Sequence, residues 1–354
     1  MNTVPARQPP AEGARLRLRR LVLGDGALLA PMAGYTDAPF RRLARAYGAA
    51  WAVTEMVSAR ALALGDLTGL AISAPYRGER DVAVQLFAAD PDEAAAAAAR
   101  LFAAWAPAAI DLNMGCPVRK VLQRGCGADL MRDPARGAAI VSAIAAAVPL
   151  PVTVKTRLGF DRPAAIEVAQ AVAEAGAAAV AVHGRTATQK YDGEADWDAI
   201  AAVAAAVDVP VIGSGDVTDA AGFRRARARG VGVMVARAAL GRPWVFRELR
   251  GGPPPSPAEV VAVSWRHARD HVAWYGSERA LPRLRGQLAA YARVVGVARD
   301  AFVRVATLDD LAAAWRAGAG LDPRDPALAH RDPLAGTRLG RPVAARRHGW
   351  AAAA

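Results

Sequence analysis

Eight short runs rich in Val, Ala and Ile recur between residues 27 and 238: "ALLAPMAG", "AWAVTEMV", "DVAVQLFA", "AIDLNMGC", "PVTVKTR", "AAVAVHGR", "VPVIGSGD" and "VGVMVARA". Each reads as a strand buried on both faces, the pattern of a parallel sheet. Alanine-rich stretches with helical spacing lie between them, at 91–105, 134–147, 163–175, 196–206 and 219–229. Parallel strands need crossovers of this kind. Eight such units suit a closed (β/α)8 TIM barrel better than an open doubly wound sheet. Nearly every run is apolar at its start and polar at its end: Glu55, Gln85, Asn113 with Cys116, Lys155 with Arg157, His183 with Arg185, Ser214 with Asp216, and Arg237. In a closed parallel barrel those ends converge on the face where active sites are built.

The barrel reading takes in residues 21–250. "RGGPPPSPAE" at 250–259 reads as a linker running into a helix start. From 257 to 320 the pattern is that of an all-helical domain, with Trp265, His267, His271, Trp274, Tyr275 and Tyr291 interleaved with Arg279, Arg283 and Arg285. Residues 1–20 read as a flexible basic leader without a signal-peptide core, and 321–354, rich in Pro, Ala and Arg without a period, are expected to lack order. With 45 Lys+Arg against 33 Asp+Glu the formal charge is +12, which favours a polyanionic partner over a small neutral metabolite alone. The 2 cysteines, Cys116 and Cys126, make no disulfide framework, so a reducing cytoplasm is the expected compartment. No stretch approaches the roughly 20 uninterrupted apolar residues of a membrane helix. A monomer without an obligate protein partner is expected.

Several of the polar strand ends point to particular chemistry. In "GSGDV" (213–217) and "VARAALGRPW" (235–244), glycines at the ends of the last two strands would let backbone N–H groups approach a phosphate, with Arg237 adding charge. Two ordinary glycine turns are the bland alternative. Lys155 lies inside an apolar run, so its ammonium must either snorkel out or meet an anion or an electron-rich group. If the phosphate belongs to flavin mononucleotide (FMN), Lys155 is placed to stabilise the anionic reduced ring. His183 has no second His or carboxylate at ligand spacing, so no metal is expected; it is a cofactor contact or a satisfied core histidine. Gln85 offers a donor and an acceptor to a heterocycle edge, or to buried backbone. A free cysteine usually packs as a small hydrophobe, and Cys126 in its glycine-rich turn reads that way. Cys116 instead ends a strand, precedes Pro117 and opens a loop carrying Arg119, Lys120 and Arg124.

Together these motifs resemble the tRNA-dihydrouridine synthases, most closely their bacterial B-type branch. "APMAGYTDAPFR", "TEMVSA", "DLNMGCP" with "CGA" downstream, "VKTRLG", "HGRT" with "YDGEADW", "GSGD" and "ARAALGRPW" stand in family order. The resemblance covers about 28–250 strongly and 257–318 loosely. It implies an FMN enzyme that uses NADPH, or NADH, to reduce the C5=C6 bond of a D-loop uridine in tRNA. It also implies that Pro31, Met32 and Ala33 run along the flavin, that Gln85, Lys155 and His183 contact it, and that Ser214, Gly215, Asp216, Ala236 and Arg237 follow its ribityl chain and phosphate. Asn113, Arg157 and Arg185 would face the base, Arg119 and Lys120 the RNA backbone, and Cys116 would be the general acid at C5. Two positions depart from the family: Ser214 stands where Asn is usual, and Gly286 and Gln287 in "LRGQLAAY" stand where relatives often carry a basic residue and a His. Two rival readings are another FMN barrel oxidoreductase acting on a small pyrimidine or enone, and a tRNA-binding chaperone without catalysis. The charge and the helical region count against the first, an intact Cys116 and Lys155 against the second.

Overall fold

The computed structural model describes residues 25–341 and two short segments before them, Arg17–Leu18 and Leu21–Val22, which pair as antiparallel strands. The barrel strands are β1 (Leu28–Leu29), β2 (Ala52–Val53), β3 (Val82–Phe87), β4 (Ala109–Asn113), β5 (Val152–Arg157), β6 (Ala179–His183), β7 (Val211–Ser214) and β8 (Gly232–Val235). Every neighbouring pair is parallel, and the ring closes with Met234 of β8 opposite Leu28 of β1. The second apolar run does not stay one strand. It breaks at Thr54–Glu55–Met56 and resumes as Val57–Ser58, paired to the end of β3.

The barrel's inside is filled largely by small side chains, Ala30, Ala83, Ala109, Ala179 and Ala181, around Trp51, Ile212 and Met234. The outside of the strands packs on the alanine-rich helices. Asp–Pro pairs start two of those helices: Asp90 caps Pro91–Trp105 and Asp133 caps Pro134–Ala147, each accepting from backbone N–H groups of the first turn. Asp196 and Asp219 cap Trp197–Ala206 and Ala220–Arg227 in the same way. These caps set the strand-to-helix turns that line the barrel mouth.

Beyond the barrel come the helices Pro257–Tyr275, Ser277–Val294 and Leu308–Ala319. Their apolar core includes Leu43, Tyr47 and Trp244 of the barrel, so the two regions bury one surface together. Polar contacts line the same seam: Arg42 to Asp270 at 2.9 Å, Arg247 to Glu259 at 2.7 Å, and Asp37 Oδ2 to the Tyr275 hydroxyl at 3.0 Å and to His271 Nε2 at 2.9 Å.

Three expectations change here. The stretch from 321, read as lacking order, is built through Arg341: Arg266 donates to Asp332, Leu334 and Thr337, Arg42 to Thr337, and Arg341 to the Trp274 carbonyl. Absence of a hydrophobic period concealed this, because the segment is held by arginines reaching backbone carbonyls. The leader boundary at 20 falls inside the antiparallel pair at 17–22; the rest of the leader, and residues 342–354, lie outside the described residues. Finally, the helical region's aromatics are mostly packing groups: His267, His271, Trp274 and Tyr291 are buried, while Arg279 and Arg283 are exposed.

Candidate active site

The C-terminal ends of β3, β4 and β5 bring Gln85, Asn113 and Lys155 together. Gln85 lies opposite Asp111, and Asn113 opposite Lys155, in the strand register. Gln85 Nε2 donates to Asp111 Oδ2 at 2.7 Å, and Asn113 Nδ2 donates to Gln85 Oε1 at 2.9 Å. Asn113 Oδ1 then accepts from the N–H groups of Gly115 and Cys116 at 3.2 and 3.0 Å. Burial pushes the Asp111 carboxyl up to about 6, against the opposing effect of the Gln85 and Thr153 hydrogen bonds and Lys155.

Cys116 sits half-buried at the mouth, as an unpaired thiol. Burial raises its pKa, although a Val118 N–H and the cations of Arg157 and Lys155 pull the other way. The thiol is therefore protonated near neutrality. Its carbonyl accepts from Ala128 N at 3.0 Å, so the "CGA" turn lies directly behind it. Gly127 makes that approach feasible: its φ is +64°, and a Cβ there would stand 2.7 Å from the Cys116 oxygen. Cys126, by contrast, is buried, its Sγ donating to the Arg124 carbonyl, which is the packing role its turn suggested.

Lys155 is brought down to about 8 by burial and by Arg157, with Asp111 and Cys116 acting oppositely. His183 is pushed down to about 2 by burial and then by Lys155, Arg157, Arg185 and Arg237. It is a neutral imidazole, an acceptor as well as a donor.

Arg157 and Arg185, expected to face a substrate base, are both buried and bond acceptors of the protein itself. Arg157 is 5% exposed and donates to the carbonyls of Gly115, Thr186 and Lys190. Arg185 is 2% exposed and donates to the carbonyls of Asp192 and Gly193 and to Asp216 Oδ2 at 2.6 Å. Their guanidinium forks stitch the loop 186–196 to the strand ends. A sequence shows the cation but not the carbonyls that take up its donors.

The last two strands build a second half of the site. Trp197 Nε1 donates to Gly215 O at 3.0 Å, and a Cβ on Gly213 would stand 2.3 Å from the Trp197 ring. Glycine is required there by packing as well as by any ligand. Asp216, at φ +55°, accepts from Arg185 and from Ala195 N, and Arg237 lies 3.6 Å from its other oxygen. Ser214 is buried with its hydroxyl toward Val182 O at 3.5 Å, and Ala236 precedes the turn Arg237–Ala239, whose first N–H groups have no partner within the turn. A cavity of about 750 Å³ opens here, bordered by Tyr191, Glu194, Trp197, Asp216, Arg225 and Arg237. On the β1 side, Pro31 and Met32 are partly exposed and Ala33 exposed, in a loop held by Met32–Thr36 hydrogen bonds and by Gly34 N to Glu55 at 2.5 Å. Arg119 and Lys120 are exposed on the turn Arg119–Leu122 that follows Cys116.

Three residues of the site escaped the sequence reading. Asp111 stood in plain view as a carboxylate two residues before Asn113, on the same face of an apolar strand. Tyr191, 55% exposed, holds its ring 4.3 Å from the Arg237 guanidinium and 5.6 Å from that of Arg157. Arg225 joins the cavity from the helix after β7; nothing in the spacing marked it.

The departures from family pattern can also be placed. Gln287 is 4% exposed, inside the helical core, while a Cβ on Gly286 would meet only the Tyr35 hydroxyl, 4.0 Å away. Position 286 thus looks toward the barrel mouth, and 287 does not.

The dihydrouridine synthase (Dus) family matches residues 28–316. The chain is 40% identical over 299 residues to a probable tRNA-dihydrouridine synthase of Rhodobacter capsulatus, covering 78% of this chain and 89% of that protein. It is 39% identical over 295 residues to tRNA-dihydrouridine synthase B of Pseudomonas putida, covering 75% and 86%. Among solved structures, histamine dehydrogenase from Rhizobium sp. 4-9 superposes with a TM-score of 0.51 at 15% identity, over 67% of this chain and 47% of that one, a likeness of fold. The barrel, the ordered motifs and these relatives agree, and the chain belongs to the dihydrouridine synthase family.

Proposed function

We propose that the protein reduces the C5=C6 bond of a D-loop uridine in tRNA to 5,6-dihydrouridine, with FMN as resident cofactor and NADPH, or NADH, as reductant, acting as a monomer in the cytoplasm. The donor set fits an FMN. Arg237 and Arg225 border a cavity of about 750 Å³ beside Gly215, which suits a phosphate. Lys155, Gln85 and neutral His183 supply a cation, an amide and an imidazole at strand ends across the mouth, which suits a polar ring edge. A flavin held by these residues would supply the hydride for the reduction.

The observation that carries the reading is the free, half-buried Cys116 thiol in the loop just past the end of β4. Negative charge developing on C5 and O4 of the uracil needs a proton, and Cys116 holds one, its pKa raised by burial. Asn113 fixes the loop on which it rides, and Arg157 ties the Gly115 carbonyl next to it. Lys155 is cationic below about pH 8 and favours the anionic form of whatever lies against it. The exposed Arg119 and Lys120 carry charge toward the RNA backbone, and the target base must leave its stack to reach the thiol.

Cys116→Ala tests this assignment. Purified variant should remain yellow and bind tRNA with unchanged affinity, while dihydrouridine formation falls by about 100- to 10,000-fold, the usual range for a lost general acid. Undiminished turnover in the variant would remove Cys116 from the mechanism. A preparation that neither holds nor takes up FMN would remove the whole reading.

A further inference from the structure

The amide groups of Gln85 and Asn113 pose a question of direction. Either could be turned over by half a rotation, exchanging its oxygen for its NH2, at little steric cost. Their order in this site is nevertheless determined from both ends: the N–H groups of Gly115 and Cys116 fix it at Asn113, and Asp111 fixes it at Gln85. An ionised carboxylate only accepts hydrogen bonds. Asp111, 3% exposed, sits at the blind end of the row, with Thr153 Oγ1 at 2.5 Å from Oδ1 and Gln85 Nε2 at 2.7 Å from Oδ2. Gln85 must therefore turn its NH2 toward Asp111 and its oxygen toward Asn113. Asn113 must in turn point its NH2 at that oxygen, 2.9 Å away, which leaves Oδ1 aimed at the N–H groups of Gly115 and Cys116.

We propose that Asp111 is a positioning residue for the reaction: its carboxylate sets the direction of the Gln85–Asn113 amide row, and that row holds the Cys116 loop in its working pose. The inference rests on the reading of Cys116 as proton donor. Reversing the row would bring an NH2 of Asn113 against two backbone N–H groups, a donor-to-donor clash that expels the loop. The row is built across strands in register, since Gln85 faces Asp111 directly and Asp111 and Asn113 share one face of β4. One charge, held out of solvent, thereby controls the orientation of the two amides and the placement of a thiol it does not touch.

The experiment compares Asp111→Leu with Asp111→Asn in the full-length protein. Leucine removes the acceptor. Asparagine keeps one, because its amide oxygen can take the Gln85 proton in the place of Oδ2 while the Thr153 hydroxyl rotates to accept from the new NH2. Asp111→Leu should lower kcat by about 10- to 100-fold, the usual scale for losing a group that orients a functional side chain, with KM for tRNA within about twofold. In FMN-free protein, with no turnover involved, alkylation of Cys116 by iodoacetamide should speed up several-fold, because the loop has lost its anchor. Asp111→Asn should behave as the parent in both assays. In the FMN-free alkylation assay, where no cofactor contact of Gln85 is at stake, combining Asp111→Leu with Gln85→Leu should add little further acceleration, as expected for residues acting in series.

An Asp111→Leu protein that melts cooperatively and keeps parental kcat and alkylation rate overturns the proposal, as does strict additivity with Gln85→Leu in the alkylation rate. If wild-type protein forms no dihydrouridine, the functional reading fails, yet the alkylation arm still decides whether Asp111 positions the thiol. Should Asp111→Leu not fold, Asp111→Ala replaces it: the acceptor for Gln85 is again removed, and the same change in alkylation is expected.

Discussion

At the scale of single residues, the site depends on positions that carry no reactive group. Gly127 stands behind Cys116 with φ +64°, and any Cβ there would lie 2.7 Å from the Cys116 carbonyl oxygen and 2.8 Å from Val121 Cγ1. Gly127→Ala should therefore lower stability by about 2 kcal/mol or more through left-handed backbone strain and overlap, read as a lower thermal midpoint, and should also reduce turnover by displacing the thiol. Wild-type stability and turnover in that variant would contradict the packing argument. Lys155 makes a second prediction. Its ammonium is held down to about 8 by burial and by Arg157, so its charge is lost as the pH rises past that value. FMN affinity measured by fluorescence quenching should weaken above about pH 8, and Lys155→Met should show a lower affinity without that alkaline decline. The Cys116 motif was legible because thiol, proline and glycine lie within one short stretch of sequence. Asp111 was passed over because its partners, Gln85 and Thr153, come from two other strands.

At the scale of elements, the helical region is anchored to the barrel by the first barrel helix, Ala38–Ala46. Its N-cap, Asp37, accepts from Phe40 N and also meets Tyr275 and His271. One turn on, Arg42 pairs with Asp270 at 2.9 Å, both side chains nearly out of solvent. Asp270 keeps Arg266 at 3.6 Å, so losing Arg42 costs less than a fully stranded buried charge, about 3–5 kcal/mol. Arg42→Met should lower the thermal midpoint accordingly, and a double replacement, Arg42→Met with Asp270→Leu, should recover much of the loss. A double variant as unstable as the single one would show that the seam does not depend on this pair. The pairing spans residues 42 and 270, so no local pattern could announce it. Aspartate caps and Asp–Pro pairs, by contrast, are local signals, and the helices at 91–105 and 134–147 start where those signals stand.

At the scale of the whole molecule, charge and titration set the behaviour. A formal +12 implies tRNA binding that weakens steeply with salt, since each neutralised phosphate releases counterions. Arg119→Glu with Lys120→Glu should weaken tRNA binding and flatten its salt dependence while leaving the FMN content unchanged. Deleting the helical region would be a poor test, because its core includes Leu43, Tyr47 and Trp244. The histidines predict acid sensitivity. His183 is lowered from 6.5 to about 2, and His267 well below its usual value, both chiefly by burial. The unfolded chain binds these protons more readily, so stability is full above about pH 6.5 and falls below it, by up to about 1.4 kcal/mol per pH unit for each histidine. Asp111 acts oppositely: its pKa is raised from 3.8 to about 6, so its contribution grows as pH falls through that window and offsets part of the loss. His267→Gln should shrink the drop in thermal midpoint between pH 7.5 and 5.5. An unchanged drop would exclude His267 as a source of it.

The eight-strand barrel, the helix starts and the family were written into the chain at short range. Apolar runs, capping aspartates and motifs such as "DLNMGCP" act through neighbours a few residues apart, and the periodicity of buried strands does not depend on which strand lies alongside. What only the tertiary structure decided was how donors are shared out. Arg157 and Arg185 read as substrate-facing cations until their guanidinium groups were found to bond loop carbonyls, and the unpatterned segment after 321 became ordered once arginines from 42 and 266 reached it. Hydrogen bonds are directional and saturable, so the role of a polar side chain depends on which partners the fold brings to it.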